Sequence, residues 1–234
     1  NKLYDQGIKG MPCTGGTSTI IYDTKKQKVL QESLSLIGTL RNCAGGITPW
    51  NTWITCEEVT VKKGYSLHDE DKEGLKKNHG YNFEVPASKK MQITIPKPLK
   101  AMGRFRHEAI AVDPKTGIVY QTEDRPEGLI YRFIPEKKGD FSSGKLQALC
   151  IKEKGISDTR NWKDSKNTIP KNTKIETYWI NVENPENHED KMRYEMHEKG
   201  AAIFARSEGM WYGNNEIYFA CTQGGRKQLG QIFK

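Results

Sequence analysis

Apolar and polar positions alternate along this chain in short runs, with turn residues between them. Residues 17–22 (TSTIIY) and 28–36 (KVLQESLSL) flank the turn-forming residues 23–26, which predicts an antiparallel hairpin. Residues 53–58, 81–85, 91–95, 109–112, 118–122, 129–134 and 217–220 read as further strands. Pro96 and Pro98 are expected to break the run at 91–95, and Pro135 to halt the one at 129–134. Between 109–112 and 118–122 lies Asp113-Pro114-Lys115-Thr116-Gly117, a strong turn signal. Residues 136–200 carry little periodicity; 176–181 predicts one strand and 185–198 a short helix. Another strand opens at 231–233. No 3.6-residue period runs long enough for a core helix, so the class is all-β.

Three stretches within this pattern look alike. They are Arg41-Asn42-Cys43-Ala44-Gly45, Arg106-His107-Glu108-Ala109 and Arg206-Ser207-Glu208-Gly209, all fitting Arg-x-(Cys/Glu)-(Ala/Gly). Each is followed by a turn and a strand, and the units end in Glu57-Glu58, Glu123-Asp124 and Thr222-Gln223. A hairpin unit repeated at near-constant internal spacing favours a β-propeller over a sandwich. Equivalent points of a cyclic repeat face one axis, so these residues can meet there. The expectation is one propeller domain over residues 1–234, truncated at both ends. Long charged insertions leave strands for three or four blades and an incomplete ring.

Composition adds a charge argument. Net charge is +8, with a pI of about 9.1. That suits exposed lysine-rich loops, or attraction of an anionic substrate. No basic run is interleaved with aromatics, so nucleic acid is not an expected partner. No stretch approaches the length of a membrane span. The five cysteines form no C-x-x-C, and their odd number leaves at least one thiol unpaired. Residues 62–79 mix His68, Asp69, Glu70 and Asp71 with lysines, which predicts a solvated loop. His188 and His197 read as surface residues.

Taken as one site, Cys43, Glu58, Glu108 and Glu208 offer a soft thiolate among hard carboxylates. That set points to a transition metal such as iron, with harder ions beside it; zinc stays open. On a strand, i and i+2 project to one face, so Arg41, Arg106 and Arg206 can each lie beside a ligand. Their planar forks suit phosphate oxygens. Metals that polarise a phosphoryl group and supply an oxygen nucleophile, rimmed by arginines, would suit phosphate ester hydrolysis. The competing reading makes Cys43 a small buried residue and pairs the arginines with surface glutamates.

The runs from Gly38 through Trp50, then Trp53-Ile54-Thr55-Cys56-Glu57-Glu58, closely resemble the PhoX-type alkaline phosphatases. So do His79-Gly80-Tyr81, residues 102–109, Thr122-Glu123-Asp124, and residues 205–210. The resemblance implies a secreted or periplasmic β-propeller that hydrolyses phosphomonoesters at an axial cluster of ferric iron and calcium. It matches Cys43, Glu58, Glu108 and Glu208 to metal ligands, and Arg206 to a substrate-contacting catalytic arginine. Glu57, Glu123 and Asp124 are second-rank ligand candidates, because adjacent strand residues point opposite ways. The family's twin-arginine export signal and its further C-terminal ligands are not seen in these 234 residues. A monomer is expected. Two other functions stay open: a non-catalytic propeller binding module, and a calcium-dependent lactonase-like propeller hydrolase.

Overall fold

Strand pairing dominates the structure, a computed structural model that describes residues 2–8, 11–66, 74–166 and 168–234. His68, Asp69, Glu70 and Asp71, read above as a solvated loop, lie outside the described residues. In chain order the strands are β1 (Gly15–Asp23), β2 (Lys28–Thr39), β3 (Asn42–Ile47), β4 (Thr52–Glu57), β5 (Asn82–Pro86), β6 (His107–Val112) and β7 (Val119–Glu123). Then come β8 (Ile130–Lys137), β9 (Asp140–Ile151), β10 (Thr177–Asn181), helix α1 (Met192–Glu198), β11 (Ser207–Gly213), β12 (Glu216–Cys221) and β13 (Gln231–Phe233). No described helix is long and apolar enough to cross a membrane.

The strands fall into three sheets. β1 pairs with β2; β11, β12 and β13 form a meander; and eight strands run in the order β10-β9-β8-β7-β6-β3-β4-β5. The largest sheet is antiparallel except where β3 meets β6, joined in parallel at Gly45 opposite Ala109. That parallel contact brings the inner strands of two meanders side by side, as in neighbouring propeller blades. β6 is buried along all six residues (HEAIAV), as an inner strand covered on both faces must be. Gly46 makes the approach possible: a Cβ there would lie 2.3 Å from the Ile110 carbonyl oxygen.

Two apolar clusters flank β6. One packs Ile54, Phe105, Ile110, Tyr131 and Phe133 against Met192 and Met196 of α1. The other joins Ala109, Ala111 and Ile130 to Phe204, Phe219 and Cys221, fixing the third hairpin beside the second. The alternating side chains of β6 serve both.

Three expectations need correction. Residues 91–95 form no strand; Met91 and Ile95 are 67% and 61% exposed, so the alternation there buries little. Pro135 does not end its strand, since β8 runs to Lys137 and Pro135 lies opposite Gly144, beside a register shift that needs no ladder N–H. Residues 136–200, read above as carrying little periodicity, contain β9, a twelve-residue strand with Leu146, Ala148 and Cys150 buried in alternation.

Candidate metal centre

The three look-alike stretches fold into three look-alike hairpins. In each, the residue before the candidate ligand pairs with the end of the return strand: Asn42 with Glu57, His107 with Glu123, Ser207 with Cys221. One extra residue then sits on the first strand, between Cys43 and Gly46, between His107 and Ile110, and between Ser207 and Met210. A bulge of this kind re-aims a side chain out of the regular alternation. The same backbone bond closes each unit. Glu58 N donates to Arg41 O (3.0 Å), Asp124 N to Arg106 O (3.2 Å) and Thr222 N to Arg206 O (2.9 Å). Glu58, Asp124 and Thr222 are therefore equivalent. Spacing alone pointed to Gln223 as the third member; the pairing register assigns Thr222.

The hairpin ends bring Cys43, Glu58 and Glu108 together, with Sγ and one oxygen of each carboxylate within 4.8 Å of one another. Burial and the Glu108 carboxylate push the Cys43 thiol up to about 12. Glu108 is itself raised, by burial and then by the charges of Glu208, Glu58 and Asp124, although its bond to Cys43 works the other way. Glu58 is raised by burial and by its hydrogen bond with Asp124. A bound cation would relieve both the repulsion and the desolvation of acids crowded in this way. One soft sulfur among hard oxygens suits iron, and the surrounding carboxylates suit calcium.

Arginines rim the cluster. Arg106 donates to Glu58 at 2.8 Å. Arg206 grips Asp124 through Nε (2.7 Å) and Nη2 (2.6 Å), and Nη2 also reaches Glu208 at 3.1 Å. Burial alone would raise Asp124, but the Arg206 fork holds it below the usual carboxylate range. Arg41 stands 3.7 Å from Glu58 with its side chain 62% exposed. Arg41 and Arg206 have φ of +44° and +52°, so they are left-handed corners ahead of β3 and β11 rather than strand residues. They reach the carboxylates from those corners, not by the i, i+2 alternation the sequence suggested. Held away from their preferred backbone region, both carry local strain of the kind that gathers at functional sites.

Not every acidic candidate joins the cluster. Asp124 does, through Glu58. Glu208 sits beside it, held by Arg206 and by Thr222 Oγ1 at 3.0 Å. Glu57 and Glu123, equivalent to each other, make their bonds away from the cluster. Glu57 accepts bonds from the backbone N–H groups of Leu40, Gly80 and Tyr81 and pairs with His79 Nδ1 at 2.7 Å. Glu123 accepts from Leu129 N and Tyr131 Oη and lies 3.7 Å from Arg193. Both oxygens of Glu57 are so bonded, while Glu123 is bonded through Oε2 and faces Arg193 with Oε1; each braces the end of its hairpin from behind.

Two supporting residues escaped the sequence reading. Thr122 accepts from Ala109 N at 3.0 Å and donates to the Glu208 carbonyl at 2.8 Å, joining the second hairpin to the third. His107, between Arg106 and Glu108, is buried, and desolvation lowers it to about 3. As a neutral ring it donates from Nε2 to Gly103 O at 3.1 Å and stacks on Phe105. The five cysteines are all free thiols, including Cys43 and Cys56, which face each other across β3 and β4.

The sequence matches the family model described as alkaline phosphatase PhoX over residues 14–233. No curated protein matches. Among solved structures the chain is similar to one described as Pseudomonas fluorescens PhoX in complex with vanadate, a transition state analogue, with a TM-score of 0.56 and 20% identity. That match covers 93% of this chain and 49% of the other, so this chain spans about half the length of that protein. At such identity the likeness carries the fold, and it agrees with inner strands set side by side around an axis. With the family model covering all but the two ends of the sequence, the chain belongs to the PhoX alkaline phosphatase family.

Proposed function

We propose that the protein hydrolyses phosphomonoesters at the axial cluster, with iron and calcium as its resident ions. The convergence of Cys43, Glu58 and Glu108 beneath three arginines carries this reading. These three side chains would hold the metal, with Asp124 and Glu208 completing the shell. When bound, such ions polarise a phosphoryl group and activate an oxygen nucleophile against it. Arg106 fixes the orientation of Glu58, and Arg206 that of Asp124 and Glu208. Arg206 is the catalytic candidate, since its fork lies among the ligands and its Nη1 makes none of these bonds. Arg41, the most exposed of the three, is suited to meet the incoming ester, with Arg106 beside it. Net charge of +8 favours the approach of an anionic substrate. A secreted or periplasmic location accords with the family.

The test is hydrolysis of p-nitrophenyl phosphate by protein loaded with iron and calcium, compared with the Glu108→Gln variant. Loss of turnover with an unchanged circular dichroism spectrum supports the reading. Equal turnover in the two proteins contradicts it.

A further inference from the structure

We propose that Asp5, Cys13 and His79 form a second metal site, separate from the axial cluster, that takes one divalent cation of the zinc class. Each offers a ligand atom within 4.8 Å of the other two, and all three residues are buried. A thiol, an imidazole and a carboxylate make up a donor set that zinc accepts, with one coordination position left over.

Three details of geometry favour an ion over a simple hydrogen-bonded group. His79 Nε2 stands 3.3 Å from Asp5 Oδ2, long for a charge-assisted bond, which is usually about 2.7–2.9 Å. Two ligands each about 2.0–2.1 Å from one tetrahedral ion are separated by about 3.3 Å. The other ring nitrogen, Nδ1, is bonded to Glu57 at 2.7 Å. A carboxylate behind the ring fixes its orientation and directs Nε2 towards Asp5, the usual support of a metal-bound histidine. Asp5 is fixed as well, by the backbone N–H groups of Gly7 (2.7 Å), Lys77 (2.7 Å) and Lys76 (3.0 Å).

The site would staple the N-terminal segment to the propeller. Asp5 is tied to β2 through its own N–H to Gly38 O, and Cys13 N–H reaches back to Asp5 O. His79 leads into Gly80 and Tyr81, whose amides hold Glu57, and Glu57 adjoins the axial ligand Glu58. Zinc there would lock the end of β4 from behind. The inference does not depend on the phosphatase reading, because none of its three ligands belongs to the axial cluster.

The experiment uses the full chain carrying Cys43→Ser, which removes the axial thiol. The metal-stripped protein is titrated with Zn²⁺ alone and studied by X-ray absorption at the zinc edge. One equivalent bound through a single sulfur and at least one imidazole is expected, with a rise in Tm on binding. Adding Cys13→Ser should remove the sulfur signal and weaken zinc binding by about 100-fold or more. Should that double variant fail to fold, His79→Gln in the Cys43→Ser protein replaces it, and the imidazole signal should vanish. Zinc bound without sulfur, no zinc bound, or a sulfur signal that survives Cys13→Ser overturns the proposal.

Discussion

Arg206 closes a two-pronged ion pair on Asp124, Nε to Oδ1 at 2.7 Å and Nη2 to Oδ2 at 2.6 Å. Arg106 makes a single-pronged counterpart one hairpin earlier, Nη2 reaching Glu58 at 2.8 Å. Because Glu58 and Asp124 occupy matching positions, the arginine of one hairpin takes hold of the acid that ends the hairpin before it. Charge thus links neighbouring units around the axis, and the carboxylates so gripped are those beside the thiol. In Arg206 a structural task and the proposed catalytic task fall on one side chain.

Those two tasks can be separated by substitution. Asp124→Asn removes the anion and should cost about 1–3 kcal/mol in urea unfolding, since a charged donor loses its partner. The partial exposure of Arg206 keeps the cost below that of a fully buried pair. Arg206→Lys retains the charge but not the fork; phosphomonoester turnover should fall about 100-fold or more, the scale of one transition-state donor. Unchanged stability in the first variant, or unchanged turnover in the second, would remove the corresponding role.

Adjacent residues Glu57 and Glu58 should behave differently. Glu57→Gln puts an amide group among backbone donors and should cost about 3 kcal/mol, while the number of axial metal ions is retained in the folded protein. Glu58→Gln should cost about 1–3 kcal/mol, as Arg106 loses its charged partner, and should reduce the metal content. Metal analysis of both variants, with urea unfolding curves, checks the contrast; loss of axial metal in folded Glu57→Gln would return Glu57 to the ligand set.

Gly46→Ala places a methyl 2.3 Å from the Ile110 carbonyl oxygen, so β3 must draw back from β6. Overpacking of this kind costs about 1–3 kcal/mol. Because that strand contact sets Cys43 beside Glu108, metal affinity should fall as well. A variant with wild-type metal affinity would show that the contact does not position the site.

Burial raises Glu123 to about 7, with Arg193 opposing the shift. A carboxyl whose folded value lies above its unfolded value contributes stability that is complete below about 4.5 and is lost as pH rises through 7. The urea midpoint of the metal-free wild type should therefore drop more between pH 4.5 and pH 7 than that of Glu123→Gln. Parallel pH curves for the two proteins would rule out this contribution.

Much of this arrangement is legible in the residues. The hairpins announce themselves through Asp113-Pro114-Lys115-Thr116-Gly117 and similar turns, and the three arginine stretches mark the candidate ligand positions. β9 is less visible, because Ser142, Ser143 and Gly144 look like a loop and mask the alternation that follows. The left-handed corners at Arg41 and Arg206 cannot be read from alternation at all, since they lie outside the strands; that is why these arginines seemed to share a strand face with their ligands. Nor does sequence alone distinguish Glu57 from Glu58: both are glutamates at one strand end, and only the backbone donors around Gly80 reveal which is the brace. The convergence on His79 was out of reach, because Asp5 and Cys13 lie in an N-terminal stretch with no periodicity.

Cys43 as a metal ligand is the premise of the axial site, and elemental analysis of the purified protein beside Cys43→Ser tests it. Iron should accompany calcium in the wild type, and the serine variant should lose the iron, and with it turnover of p-nitrophenyl phosphate, while keeping its fold. A wild type free of iron, or a folded Cys43→Ser protein with undiminished iron, would contradict the axial site proposed here.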